Sequence, residues 1–203
     1  MRSEWGFGFI QRVRKPLMSV QVARRYFTVD EYHRMGEAGI FLRNEHVELI
    51  EGEILKKSPI GSRHVASVNR LHMQLSSLLR RRAIVSVHNP IVLNDFSEPE
   101  PDIALLKPRD DFYALAHPRL TDVLLVVEVA DTSFEYDHDT KLPTYARSAV
   151  PEVWLADIHA ETVTAHTEPA NGVYLTMRSY RRGDSITPRH FPDLSVAVTS
   201  ILG

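Results

Sequence analysis

The run VLLVVEVA, residues 123 to 130, sets the first limit on how this chain can fold. Leu124 to Val127 is apolar without alternation, the pattern of a strand covered on both faces. Such a strand lies in a sheet with other elements above and below it, so a layered α/β arrangement is expected. The run also contains Glu128, a carboxylate that apolar surroundings make costly unless it is paired or used.

Around that strand the hydrophobic period changes from segment to segment. Thr28 followed by Glu31 forms a capping box, in which each side chain closes the other's unpaired amide, so a short helix is expected from about Val29 to Ala38, ended by Gly39. Val47 to Ile50 and Glu53 to Lys56 read as a hairpin around Glu51-Gly52. From His64 to Arg82, Val65, Val68, Leu71, Leu75, Leu78 and Leu79 recur mostly at spacings of three and four. That is the stripe of a long amphipathic helix, whose last turn would set Arg80, Arg81 and Arg82 at the negative end of its dipole. AIVSVHNPIVL, DIALLK and PEVWLADI add strands, and TVTAHTE, GVYLTMRSY and LSVAV read as shorter β pieces. A helix is expected over Asp139 to Ser148, capped by Asp137 or Asp139, with Pro143 tolerable only in its first turn. The order predicts an α/β fold: a central mixed β-sheet flanked by helices, with additional antiparallel strands at both ends.

A chain of 203 residues with 43% hydrophobic content can bury one substantial core. Residues 1 to 17 have aromatic and basic side chains but no apolar stretch leading to a small-residue cleavage site. They read as an N-terminal extension, expected to be poorly ordered, ahead of a single domain over residues 18 to 203. No apolar run approaches the roughly 20 residues of a membrane span, so a soluble, cytoplasmic protein is expected. The lack of cysteine excludes disulfide frameworks and thiolate metal sites, leaving oxygen and imidazole as donors. A formal charge of -2 argues against a protein that coats nucleic acid. Local contact with phosphates stays open, because basic patches occur at Arg24 and Arg25, at Arg80 to Arg82, and at Arg178, Arg181 and Arg182.

EPEPDIALL places Asp102 just before a strand, and DHDTKLPTYA places Lys141 in the helix that comes after the strand of Glu128. Asp102, Glu128 and Lys141 thus bring two carboxylates and an ammonium to what can be one place. Phosphodiester cleavage needs an activated water and relief of negative charge, and a divalent ion held by carboxylates supplies both. Mg²⁺ requires only one or two protein carboxylates, and Asp102 and Glu128 are the candidates. Lys141 can orient or deprotonate the attacking water, or offset developing charge. There is no GxSxG elbow and no GxxxxGK[ST] phosphate loop. His138, between Asp137 and Asp139, lacks a second histidine at ligand spacing and reads as loop.

The runs PDIALL, LLVVEVAD and KLPTYARSAVPEVWLAD, preceded by VELIEGEI and the helix beginning at His64, resemble the Uma-type restriction endonuclease family over roughly residues 25 to 200. That resemblance implies the PD-(D/E)XK nuclease superfamily, with a mixed sheet flanked by helices, Mg²⁺ or Mn²⁺ as cofactor, DNA as the partner and homodimers in which two sites reach two strands. Pro101-Asp102 matches the PD element and Glu128 the acidic element. The superfamily lysine stands two residues after the glutamate, where this chain has Ala130; the resemblance assigns its role to Lys141. It also implies Glu48 as a third carboxylate at the rim, and it matches His64 to a recurring histidine at the helix start. Basic side chains such as Arg63, beside His64, would contact phosphates.

Three functions remain in view: an Mg²⁺-dependent endonuclease acting on DNA, a catalytically inactive binding or scaffold domain favoured by Ala130, and a metal-dependent hydrolase with another substrate. Each residue also has a plainer role available. Asp102 can brace a strand start, Glu128 can sit in a buried ion pair, Lys141 can be solvated, Glu48 can be a surface charge, and Tyr145 can pack the lysine stem.

Overall fold

The computed structural model describes residues 23–42, 44–57 and 59–203, so the expected N-terminal extension at residues 1 to 17 lies outside the described residues. Helix α1 (Val29–Glu37) starts at the Thr28–Glu31 capping box with both reciprocal bonds made. Strands β1 (Val47–Ile50) and β2 (Glu53–Lys56) pair as the expected hairpin. Its turn holds Glu51 and Gly52 at φ 50° and 81°, and a Cβ on Gly52 would lie 2.5 Å from Tyr26 Cβ, so glycine is required there.

Helix α2 (Ser62–Leu79) buries Val68, Leu71, Leu75 and Leu79 of the expected stripe, while Leu78 is half-buried and Val65, in the first turn, is exposed. It ends before the triple arginine. Arg80 is its C-cap at φ 55°, and Arg81 and Arg82 lie in the turn that leads to β3 (Ile84–Val87). No apolar side chain comes after Leu79 until Ala83, so a further helical turn would bury nothing, and the three cations stand just past the last turn rather than in it. Arg82 instead pairs with both oxygens of Asp193, at 2.6 and 2.8 Å.

The sheet continues through β4 (Ile103–Leu106), β5 (Val123–Ala130), β6 (Glu152–Asp157), β7 (Thr162–Ala170) and β8 (Val173–Arg181), in the order β3-β4-β5-β6-β7-β8. Only the β5–β6 pair is parallel. All eight residues of β5 are buried, in keeping with the unalternated apolar run. Leu125, Val127 and Val129 face the core built with α2, whereas Val126 faces the opposite core with Leu142 and Tyr145. The period of two therefore turns Glu128 toward the second face.

The crossover from β5 to β6 differs from the expected helix. It comprises α3 (Phe134–Tyr136), a π-helical turn over Asp137–Lys141, and α4 (Leu142–Arg147). Asp137 and Asp139 cap nothing, and His138 is in the helical connection rather than a loop. Pro143 offers no N–H to the carbonyl four residues back and crowds it, and the widened turn just ahead accommodates that conflict. At the C-terminus, β9 (Ser185–Ile186) pairs with β10 (Val196–Ala197), but the expected strand LSVAV stops there. Val198, Ile201 and Leu202 have helical spacing and are buried from α5 (Val198–Leu202). No helix among the described residues is long and apolar enough to cross a membrane.

Candidate active site

The antiparallel register that pairs Ile103 with Val127 brings Asp102 beside Glu128, one step past the last paired positions. The Asp102 amide lies 3.4 Å from Glu128 Oε2, and Asp102 Oδ2 accepts the Val129 amide at 2.7 Å. From the crossover, Lys141 Nζ lies 2.7 Å from Glu128 Oε1 and 3.6 Å from Glu48 Oε2. Lys141 is the last residue of the π-helical turn and is buried. On β1, Glu48 accepts the Glu100 amide at 3.0 Å and the Tyr136 hydroxyl at 3.1 Å. These groups line a cleft of about 330 Å³ that also includes Lys57, His64, Asp131, Ser133 and Asp137.

Charge in this cleft is unbalanced. Glu48, Asp102, Glu128 and Asp137 are buried carboxylates, and Lys141 is the buried ammonium among the described residues. Burial lifts the Glu128 pKa to about 8, with Asp137 and Asp102 adding to the rise and the Lys141 ammonium opposing it. Lys141 also holds its proton more firmly than an exposed lysine: burial works against the charge, but Glu128, Glu48 and Asp137 outweigh it. Burial raises Asp137 as well, although Ser133 donates to it at 2.6 Å. Asp102 moves the other way, because His64, Lys141 and the Val129 amide overcome the effect of burial. Excess buried negative charge of this kind is relieved by binding a cation or a proton.

Two imidazoles converge on Asp102. His64 Nε2 is 3.1 Å and His88 Nδ1 3.4 Å from Oδ1, and one ligand atom from each of the three residues falls within 4.8 Å of the others. The His64 contact is within ion-pair distance but lacks hydrogen-bond alignment, so Nε2 is buried with no hydrogen-bond partner among the described residues. Burial lowers the His64 pKa, yet the adjacent Asp102 carboxylate brings the net shift upward. A buried nitrogen without a partner, beside a carboxylate and a second imidazole, fits a divalent ion that takes oxygen and nitrogen donors.

A family model described as "Uma2: Putative restriction endonuclease" matches residues 29–199. The chain belongs to the Uma2 family. A crystal structure titled as a putative nuclease of DUF820 from Anabaena variabilis superposes with a TM-score of 0.67 at 16% identity, covering 87% of this chain and 97% of that one. At that identity the likeness establishes the fold, a mixed sheet with flanking helices. No curated protein matches the chain.

Within the Uma2 chain, Asp102, Glu128, Lys141 and Glu48 meet in one cleft, and His64 stands at its α2 side. Arg63 reaches the rim, where it donates to Asp131 at 2.9 Å. Sequence reasoning missed His88, Asp137 and Tyr136, and it assigned Tyr145 only a packing role. Tyr145 donates to Glu128 Oε1 at 2.5 Å and is fully buried. Its spacing of four from Lys141 was a usable signal, since both side chains then share a helix face. His88 stands in HNP just past a strand and adopts φ 50°, an uncommon conformation for a residue with a side chain.

Proposed function

We propose that this cleft is the centre of an Mg²⁺- or Mn²⁺-dependent endonuclease that hydrolyses DNA phosphodiester bonds. The observation that carries the reading is the charge imbalance: among the described residues, four buried carboxylates face one buried ammonium beside a His64 nitrogen without a hydrogen-bond partner. Asp102 and Glu128 would hold the ion, and His64 and His88 favour Mn²⁺ at the Asp102 side because imidazole is the softer donor. A bound ion supplies a water of lowered pKa and relief of charge on the phosphate.

The chain's own side chains do the rest. Lys141, held by Glu128 and Glu48, is placed to orient the attacking water and to meet negative charge as it develops. Tyr145 fixes Glu128, and the Glu100 amide and Tyr136 fix Glu48. Arg63 and Lys57, at the edge of the cleft, are placed to meet phosphates. Ala130 leaves the superfamily position for lysine empty, and an ammonium arriving from the crossover can replace it because only the nitrogen must reach the site.

The rival reading, an inactive binding or scaffold domain, draws on the closure of Lys141 onto Glu128 at 2.7 Å. A plasmid-nicking assay with Mg²⁺, Mn²⁺ or chelator separates the two. Cleavage that requires the ion and is lost in Asp102→Asn and Glu128→Gln supports the enzyme. Ion binding by the wild type without any cleavage of single-stranded, duplex or branched DNA supports the inactive domain.

A further inference from the structure

We propose a second divalent-metal site, distinct from the cleft, formed by His33, Glu98 and His117 and suited to zinc or a similar late first-row ion. His33 is on α1, Glu98 lies in the segment leading to Asp102, and His117 is in the loop before the Leu120–Asp122 turn. One ligand atom from each lies within 4.8 Å of the others. His33 Nε2 is 2.9 and 2.8 Å from the two Glu98 oxygens, and the two imidazole rings stand 5.8 Å apart, edge to face. Ligands of a tetrahedral zinc bound at roughly 2.0 to 2.1 Å are themselves separated by about 3.4 Å, so small side-chain rotations bring the three into place.

Burial argues that Glu98 serves more than an ordinary surface pair. Its side chain is 3% exposed, yet no lysine, arginine or backbone amide bonds its carboxylate among the described residues; His33 is its partner there. A buried carboxylate stabilised by imidazole alone is weakly compensated, and a dication shared with a second imidazole compensates it fully. The backbone holds the ligands in place before any ion arrives. The Glu98 amide donates to the Leu49 carbonyl at 2.8 Å, and the Val92 amide donates to the Pro118 carbonyl, next to His117, at 2.9 Å. His33 and His117 line an open hollow with Tyr113 and Arg119, which gives an ion a path and leaves room for water as a fourth ligand. The ion would clip α1 and the His117 loop to the strand segment that carries Glu100 and Asp102.

The test is Co²⁺ and Zn²⁺ titration of the full-length protein, read by calorimetry and by Co²⁺ visible absorption. His117 is exposed, so His117→Ala should fold as the wild type does. In this variant we expect one equivalent of bound metal to disappear, the metal-induced rise in Tm to shrink, and Mg²⁺-supported cleavage to stay unchanged. His33→Ala should lose the same equivalent, whereas Asp102→Asn should retain it, so loss of the cleft reading would leave this site intact. Titrations of His117→Ala and His33→Ala that match the wild type in stoichiometry and affinity would overturn the proposal, as would wild-type binding at this site weaker than about 100 μM.

Discussion

Glu128 on β5 and Glu152 on β6 stand on neighbouring parallel strands and are nearly equally buried, at 2% and 3% exposure, but their surroundings differ. Glu152 accepts the Trp154 indole N–H at 2.7 Å and the Arg189 amide at 2.7 Å, so neutral, fixed donors satisfy both oxygens. Glu128 shares its surroundings with three other buried carboxylates and is held by a buried lysine and a phenol. Burial raises both pKa values. Burial therefore does not separate the proposed working carboxylate from one tied into the fold; what differs is whether the neighbours leave charge uncompensated.

The strongest way to break this contrast is to neutralise each side. Asp102→Asn and Glu128→Gln should reduce divalent-ion-supported DNA nicking to background, while Glu152→Gln keeps it near the wild-type rate. Equal losses in all three purified, folded variants would erase the distinction. Next in size is Lys141→Met, which leaves Glu128 and Glu48 facing each other without a cation. Cleavage should fall by about 100-fold or more, and metal-free stability by about 3 kcal/mol, read from urea unfolding. Glu152→Ala should cost about 2 kcal/mol, because the Trp154 and Arg189 donors lose their acceptor, with cleavage per folded molecule unchanged.

The smallest effect is a slope. Because the Glu128 pKa rises from 4.5 to about 8 on folding, its contribution to metal-free stability is fully present below pH 4.5 and is lost as pH climbs through 8. Glu128→Gln removes that loss, so its Tm should gain on the wild type as pH rises across this window without metal. A Tm difference that stays constant with pH would mean that Glu128 is ionised throughout, its charge fully matched by Lys141.

Much of the framework was legible because its signals are local. The Thr28–Glu31 box, the Glu51-Gly52 turn and the stripe on α2 each depend on residues a few positions apart. Glu128 stood out because a charge interrupts an apolar strand, and Asp102 because it precedes the strand that pairs with it. His88 and Asp137 were hidden for a different reason. The approach of His88 to Asp102 depends on a left-handed residue at a strand end, and Asp137 resembled a cap because aspartate is a favoured residue just ahead of a helix. Glu48 was visible only through family resemblance, since nothing within β1 tells that the strand lies against the crossover.

The π-helical turn over Asp137–Lys141 gives the amine a support separate from that of the acids. Such a turn closes i→i+5 rather than i→i+4 hydrogen bonds and so is wider than an α turn. Asp102 and Glu128 are fixed by the β4–β5 register, whereas the Lys141 ammonium is supplied by the crossover. The acids stand on the sheet and the amine on a separate connection, so a rearrangement of the crossover alone would withdraw the amine and leave the acids in place.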